Sequence, residues 1–480
     1  MFNFSQPRLR LGVAYTRRDT WMNKATEINK ENIIRKIAFL TENENIDLFS
    51  TEDLEVRRKL KMINGREVLQ SNNKYMTDYE DALFTVDYFK KKAVDALFVP
   101  FCNYGQEEAV AKLAKELSVP VLLWAPRDSI DNAADIYRQT DSQCGIFAVS
   151  KVLRRYGIKY TYIENCNIDD ETFINGFRQF IDTARIVNSF RRGRVAQISV
   201  RPQQFVNLMV NEGELLERFG IEVVPVTGIE LIDTIKNILR KEPENIDALV
   251  NEIELSIDLS RVPDKRLMAA IELGYMKVAS RYACNAIASD CWHTIRREFG
   301  FGPWFVFGDL YDHGLPCTNE CDIHGAVTSL LAIGALNNKS AAFLSDLTMR
   351  HPSDDNAEML WHMGFAKQLK DPADKGFVAK TGEGNYRLKT GNLTILRFDG
   401  DHGNYSCFVG GGESIYGPAT GGNYTYLKVK DWVRWEKKFV YGPYVHHVVG
   451  IFGNHQAPIL DALRYLGIQS DCPESDLFLL

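Results

Sequence analysis

The sequence predicts an α/β fold with two open, Rossmann-like α/β domains followed by a β-rich, barrel-like C-terminal domain. Short apolar strands alternate with amphipathic helices up to about residue 165, which is typical of parallel βαβ units. The alternation begins again after residue 165, and from about residue 336 short alternating strands and glycine-rich turns replace it. A chain of 480 residues is also too long for one ordinary hydrophobic core.

The N-terminal domain is predicted to span residues 1–165. Its strands are predicted over 9–15, 93–101, 120–126 and 160–165. Its helices are predicted over 27–40, 109–118 and 144–157. The last helix ends at Gly157, a residue type that favours a helix C-terminus.

The second α/β domain is predicted to span residues 166–335. Its strands are predicted over 194–200 and 221–226. Its helices are predicted over 172–191, 205–220 and 267–288. This domain shows no obvious sequence repeat of the first.

The C-terminal domain is predicted to span residues 336–480. Residues 379–429 are rich in Gly, Asn, Thr and Tyr and contain the alternating stretch YRLKTGNLTILRF, which favours strands joined by turns. The apolar periodicity of residues 457–468 predicts a closing helix.

Composition excludes several classes of partner. The net charge of −6 gives no reason to expect nucleic acid or a membrane surface as a partner. No stretch approaches the ~20 apolar residues that a membrane span requires. Nine irregularly spaced cysteines and the lack of an apolar leader predict reduced thiols and a cytoplasmic location.

The segment ECDIHGA is the first candidate for functional chemistry. If it forms a strand, Glu320 and Asp322 are two residues apart and share one face, so one could bind a metal while the other orients a neighbouring ligand. Solvated acids are the alternative interpretation. Cys317 and Cys321 flank Glu320, but no second cysteine pair completes a thiolate zinc site.

Further candidate ligands follow along the chain. Asp346 comes after an apolar stretch, where an acid that ends a strand commonly caps the next element. His362 lies in an apolar setting that is also compatible with a hydrogen-bonded core histidine. His446 and His447 are adjacent, so on a strand only one would face a given metal. Two carboxylates with imidazole nitrogen suit a hard divalent cation. Trp292 is predicted to pack in the core as part of a pocket wall and is a candidate for substrate contact.

Four segments together resemble the L-fucose/L-arabinose isomerase superfamily, within its group of L-fucose isomerase-like proteins. They are residues 140–157, 199–223, 291–326 and 346–364. The resemblance implies three domains, an active site between domains, and a homo-oligomer, either a trimer or a hexamer.

The resemblance also implies a metal site. Glu320, Asp346 and His447 match the family's ligands for a divalent metal, usually Mn²⁺, with Co²⁺ or Mg²⁺ as alternatives. His446 and Asp322 would then support the ligands, and His362 matches a further histidine near the substrate. Met363 stands where the family carries cysteine, which concerns the shape of the pocket.

The implied reaction is aldose–ketose isomerisation of an open-chain sugar through an enediolate, with Glu320 and Asp346 moving protons. The substrate would be a neutral aldose or deoxy sugar, or an aldohexose with an anionic 6-sulfo or 6-phospho group. In related arabinose isomerases the region of TRRDTW (16–21) reaches a neighbouring subunit's active site.

Arginines in residues 16–21 or shortly after Asp346 could bind an anionic group at the end of the sugar. The candidates for substrate contact are Arg17, Arg18, Trp21 and Arg350. The alternative is that these arginines are solvated surface residues. Two other functions stay open at this point: a non-catalytic sugar-binding protein, and a metal-dependent epimerase or lyase.

Overall fold

The computed structural model describes residues 4–21, 23–63, 65–128 and 138–479. These residues form two compact units. The first is Pro7–Arg185, and the second is Ile186–Leu480 with the described residues before Pro7. The finer three-domain division at residues 165 and 335 stays a prediction. Within the described residues, no helix combines the length and apolar character needed to cross a membrane.

The first unit is built on a five-stranded parallel sheet with the strand order β2-β1-β5-β6-β7. Its strands are β1 (Leu9–Val13), β2 (Ile46–Ser50), β3 (Arg58–Ile63), β4 (Arg66–Ser71), β5 (Ala96–Pro100), β6 (Val121–Trp124) and β7 (Thr161–Tyr162). Its helices are α1 (Lys24–Thr41), α2 (Tyr79–Lys91), α3 (Glu107–Leu117), α4 (Ser142–Arg155) and the first part of α5 (Glu171–Arg191). Strands β3 and β4 form a separate antiparallel hairpin. The predicted α/β alternation of this segment is confirmed.

The second unit begins with a four-stranded parallel sheet of order β11-β10-β8-β9. Its strands are β8 (Arg194–Ile198), β9 (Glu222–Val226), β10 (Ala286–Ser289) and β11 (Cys317–Thr318). Its helices are α6 (Glu212–Phe219), α7 (Gly228–Lys241), α8 (Pro243–Glu254), α9 (Lys265–Arg281), α10 (Thr294–Phe299), α11 (Trp304–Asp312) and α12 (Ile323–Leu336).

Two predicted helices of this part were too long. The helix predicted over 205–220 is a short 3-10 turn followed by α6, because the Asn211 side chain accepts a hydrogen bond from the backbone N–H of Glu214 and starts a new helix. The helix predicted over 267–288 ends at Arg281. Ala283 then adopts a left-handed φ of 52°, and the chain enters β10.

The remainder of the second unit is a closed antiparallel barrel with additional edge strands. Its strands are β12 (Ala342–His351), β13 (Asp354–His362), β14 (Phe377–Val378), β15 (Gly384–Arg387), β16 (Gly391–Asp401), β17 (Asn404–Ile415), β18 (Asn423–Lys428), β19 (His447–Phe452) and β20 (Gln469–Asp471). Its helices are α13 (Trp432–Tyr441) and α14 (Gln456–Leu466). Six strands follow one another in the order β18-β13-β12-β19-β16-β17, and β17 pairs back onto β18. The predicted fold class, including the barrel-like C-terminal part, is confirmed.

Helix α12 lies between the parallel sheet and the barrel. All fourteen of its residues are buried, which agrees with its apolar character on every side. It contacts β10 of the sheet and β12, β16 and β19 of the barrel. The residues just before α12 therefore lie where the sheet meets the barrel.

Candidate metal centre

Glu320 lies in a strained turn between β11 and α12. The turn is a 3-10 segment, Asn319–Cys321, so the expectation of a strand here is wrong. Glu320 has a φ of 56° and Cys321 a φ of 53°, both in the left-handed region. Such a conformation costs about 1–2 kcal/mol per non-glycine residue. Strain of this kind persists where the surroundings impose it, commonly at functional sites.

Asp346 and His447 reach the same place from two neighbouring barrel strands. They are direct partners in the antiparallel pairing of β12 with β19. Asp346 lies inside β12, so it does not end a strand as an ordinary cap would. The Nε2 atom of His447 is 3.2 Å from Glu320 Oε2 and 3.4 Å from Asp346 Oδ1. These three side chains are called the metal centre below.

The facing atoms of the metal centre are buried yet unsatisfied. Among the residues that the structure describes, Glu320 Oε2, Asp346 Oδ1 and His447 Nε2 have no hydrogen-bond partner. A buried polar atom without a partner costs about 1–3 kcal/mol, and each such atom calls for an explanation. Two carboxylate oxygens and one imidazole nitrogen are donors that a divalent metal accepts. The residues present therefore fit the metal that the resemblance implies.

His446 also has an atom within reach of the metal centre. Asp346, His446 and His447 each offer one ligand atom, and these atoms lie within 4.8 Å of one another. Ligands bound at about 2.1 Å lie about 3 Å apart when adjacent and about 4.2 Å apart when opposite. The triplet with His446 is therefore compact, whereas in the triplet with Glu320 each carboxylate oxygen lies close to His447 Nε2. The supporting role of His446 stays a prediction.

Asp322 fixes the orientation of His447. The Nδ1–H of His447 faces Asp322 Oδ2 at 2.9 Å, which leaves Nε2 as the atom that can bind a metal. Asp322 also caps α12, since its Oδ1 accepts the backbone N–H of Gly325 at 2.8 Å. The guanidinium of Arg397 donates to both oxygens of Asp322, at 2.5 and 3.1 Å. Asp322 is thus held from three directions.

A chain of buried charges extends this support into the barrel. Arg397 donates from Nε to Asp399 Oδ2 at 2.9 Å, and His324 Nδ1 is 2.7 Å from Asp399 Oδ1. Sequence reasoning missed all three residues. The available signal was the pair Arg397 and Asp399, two opposite charges that are two residues apart and so share one face of β16.

The surroundings shift the acidity of the metal centre in opposite directions. Burial alone would raise the pKa of Glu320, but the His447 and His362 imidazoles outweigh it and lower that pKa to about 2. Burial alone would lower the pKa of His447, but Asp322 and Glu320 raise it to about 10. Without a metal, the imidazolium of His447 therefore neutralises part of the charge of the acids around it.

Trp292 and His362 complete the surroundings. The indole Nε1–H of Trp292 donates to Glu320 Oε1 at 3.0 Å. The residue is 42% exposed, so it lies at the rim and the predicted core packing is wrong. His362 is buried, and its Nδ1 accepts the backbone N–H of Met363 at 2.9 Å. In the neutral ring, the proton is therefore on Nε2, which is 4.0 Å from Asp346 Oδ1.

The candidate arginines have other partners. Arg350 is paired with Glu436 at 3.0 Å on the barrel surface. Arg17 is fully buried, and its guanidinium bonds Asp19, Glu27 and the carbonyl of Ser71. It is therefore not a solvated surface residue.

Arg18 and Trp21 belong to the same segment of the first unit. Arg18 pairs with Glu107 and lies over the Tyr104 ring at 4.1 Å. Trp21 ends a short 3-10 helix, and its side chain lies outside the described residues. Substrate contact by these residues stays a prediction.

Comparison with known proteins gives one family match. Residues 12–191 match the family model described as "Fucose/sulfoquinovose isomerase, N-terminal domain". No curated protein matches the chain. The resemblance predicted from sequence motifs is confirmed by this match.

Solved structures include two ABC transporter solute-binding proteins. One, from Bacillus halodurans C-125 with bound myo-inositol, is 10% identical, covers 59% of this chain and 76% of its own, and has a TM-score of 0.17. The other, from Actinobacillus succinogenes 130z with bound D-allose, is 11% identical, covers 59% and 77%, and has the same TM-score of 0.17. At this TM-score, neither likeness bears on the fold or on the ligand of this chain.

Proposed function

From the premise that this chain belongs to the fucose isomerase-like superfamily, through its match over residues 12–191, we propose that it is a metal-dependent aldose–ketose isomerase. The convergence of three unpartnered buried atoms, from Glu320, Asp346 and His447, carries this proposal. Mn²⁺ is the proposed metal, with Co²⁺ or Mg²⁺ as substitutes. When bound, a divalent metal supplies positive charge that stabilises the charge developing on the two sugar oxygens.

The side chains provide the proton transfers of the reaction. Isomerisation moves a proton between C2 and C1 of the open-chain sugar through an enediolate, and we assign this transfer to Glu320 and Asp346. Glu320 keeps its ionised form because of the imidazoles nearby and the Trp292 N–H. Asp346 has a side chain that is 24% exposed, so it is the more accessible of the two to a sugar.

His362 is suited to hold a sugar oxygen. Its Nδ1 is occupied by the backbone N–H of Met363, so its Nε2–H is the group available for donation. This atom lies on the Asp346 side of the metal centre. We assign to His362 the binding and orientation of a substrate hydroxyl or carbonyl oxygen.

The proposed substrate is an open-chain aldose, either a neutral or deoxy sugar or an aldohexose with a 6-sulfo or 6-phospho group. The family description, which names both fucose and sulfoquinovose isomerases, supports either class. Arg350 is four residues after Asp346 on β12 and is the described arginine that we assign to an anionic tail.

A panel of neutral, 6-sulfo and 6-phospho aldoses tests the function directly. The chelator-treated protein should be inactive, and added Mn²⁺ should restore ketose formation, measured by NMR. Identifying the product by NMR separates isomerisation from epimerisation and cleavage. Binding of a sugar without turnover, at saturating Mn²⁺, would favour a non-catalytic sugar-binding protein instead.

We also infer a homo-oligomer, a trimer or a hexamer, and a cytoplasmic location. The family assignment supports both inferences. Light scattering of the purified chain tests the first, with a stable monomer as the contrary result. Fractionation of the source cells tests the second.

A further inference from the structure

A second group of buried acids connects α9 to α11. Glu272 lies in α9, Asp309 in α11, and His313 directly after α11. Each offers one ligand atom, and these atoms lie within 4.8 Å of one another. These three residues are called the α9–α11 cluster below. None of them belongs to the metal centre or takes part in the proposed reaction.

The α9–α11 cluster is enclosed and incompletely paired. Glu272 and Asp309 are both 0% exposed. Within the described residues, both carboxylate oxygens of Glu272, Oδ2 of Asp309 and Nε2 of His313 have no hydrogen-bond partner. Glu272 Oε1 is nevertheless only 3.2 Å from His313 Nε2. At most one donor, the Nε2–H of His313, thus lies among these facing lone pairs.

Neighbouring charges do not balance the cluster. The ammonium of Lys367 binds Asp309 Oδ1 and lies 3.5 Å from Asp312 and 3.8 Å from Glu252. One lysine therefore serves three carboxylates, and Glu272 adds a fourth. Glu252 is partly exposed to solvent, but among the enclosed acids Glu272, Asp309 and Asp312 even a protonated His313 would leave one negative charge in excess. An uncompensated buried charge is expensive, so a cation is favoured here.

A metal ion fits these atoms better than a proton does. A proton joins one pair of atoms and would leave the other lone pairs unsatisfied, whereas a divalent ion accepts three or more ligands at once. A cavity of about 260 Å³ adjoins the cluster on the side of His313. Its lining includes Asp312, His313 and Gln368, all polar.

We propose that Glu272, Asp309 and His313 bind a second divalent metal ion, distinct from the one at the metal centre. Two carboxylates and one imidazole suit Mn²⁺ or Zn²⁺. The ion would tie α9 to α11.

The metal-bound link between α9 and α11 would also support the segment that follows His362 in the chain. Helix α11 packs so closely on the chain after His362 that a side-chain carbon at Gly308 would collide with the carbonyl oxygen of Phe365. A fixed α11 therefore supports the position of that segment, three residues beyond His362.

The experiment removes the metal centre first, so that the two sites are counted separately. The full-length Glu320→Gln/Asp346→Asn double variant is stripped with chelator and dialysed against Mn²⁺ or, in parallel, Zn²⁺. Metal per chain is then measured by mass spectrometry. We expect one ion per chain in the double variant and none when Glu272→Gln is added. This result does not depend on catalysis, so failure of the proposed function would not affect it.

Two further variants guard against misfolding. His313→Gln changes a partly exposed side chain and should remove the same ion, whereas Glu254→Gln, at the exposed end of α8, should keep it. Circular dichroism checks that each variant is folded. In the double variant, metal should raise the melting temperature, and adding Glu272→Gln should abolish the rise. Metal content below 0.2 ions per chain in the double variant, roughly the detection margin for a stoichiometric site, would overturn the proposal. Metal content that stays unchanged when Glu272→Gln or His313→Gln is added would also overturn it.

Discussion

The metal centre and the α9–α11 cluster are both buried groups of two acids and a histidine, but they are built differently. At the metal centre, partners outside the group orient the ligands: Asp322 holds His447, and Trp292 holds Glu320. The side chain of Asp346 remains 24% exposed. In the α9–α11 cluster both acids are fully enclosed. Catalytic metal sites keep a position open for substrate and structural ones are closed, which is why we propose a catalytic ion for the first group and a structural ion for the second.

The strongest test of this contrast replaces one acid from each group. Glu320→Gln should lower kcat by about 10³-fold or more, because it removes both a ligand and a proton carrier. Glu272→Gln should change kcat by less than about threefold at saturating Mn²⁺, because it touches no reacting group. Steady-state ketose formation measures both, and Asp355→Asn, an exposed acid of β13, is the control. Equal losses in the two variants would refute the division of roles.

A smaller effect is expected from the residue that orients a ligand. Asp322→Asn should weaken Mn²⁺ binding at the metal centre by about 10–100-fold, since supporting partners of ligating histidines commonly have that effect. The change disturbs the bonds from Arg397 and His447 while it leaves all three ligands in the chain. Titration with Mn²⁺ in the Glu272→Gln background isolates this site. An unchanged dissociation constant would mean that Asp322 only caps α12.

Glu358 sharpens the comparison because it is a buried acid outside both groups. Burial raises its pKa to about 7, and Arg350 only partly opposes this. The folded state therefore prefers the protonated form, so stability is lost as the pH rises from about 4.5 to 7. Glu358→Gln should stabilise the protein by roughly 1–3 kcal/mol at pH 8, given about 1.4 kcal/mol per pKa unit, and by little at pH 4.5.

Urea unfolding at both pH values measures the effect of Glu358→Gln. The exposed Glu413→Gln variant on β17 serves as the control. A stabilisation that is the same at both pH values would show that the carboxyl charge is not its cause.

The smallest predicted effect is a fall in kcat/KM on substitution of Trp292, at the rim of the metal centre. Trp292→Phe removes the N–H that donates to Glu320 Oε1 but keeps an aromatic ring. Because the residue is 42% exposed, water can replace part of this bond, and kcat/KM should fall by about three- to tenfold. A loss as large as that of Glu320→Gln would mean that the indole does more than orient a carboxylate.

Much of the fold followed from local patterns in the sequence. Apolar strands such as β5 and amphipathic helices such as α3 carry their own periodicity, and both lie within two residues of their predicted positions except at the start of β5. The proximity of Glu320, Asp346 and His447 was expected only through the family resemblance. No local pattern relates Glu320 and Asp346 to His447, which lies more than a hundred positions later in the chain.

What could not be predicted depends on tertiary contacts. The left-handed turn at Glu320 and Cys321 is imposed by packing at the junction of sheet and barrel, against the preference of both residue types. The role of Arg397 depends on its hydrogen bond to Asp322, which lies 75 positions earlier in the chain. The sequence leaves Arg17 as a candidate for substrate contact or a solvated surface residue, yet it is buried and three partners compensate for its burial.

The pairing of β17 with β18, which closes the barrel, limits how far any strand can shift its register. In an open sheet, an edge strand can shift its register by disrupting the hydrogen bonds to one neighbouring strand. In this six-stranded barrel each strand pairs with a neighbour on both sides, so a register shift at one strand disrupts the pairing of the others as well. Changes confined to the loops therefore leave the pairing of Asp346 with His447 on β12 and β19 in place.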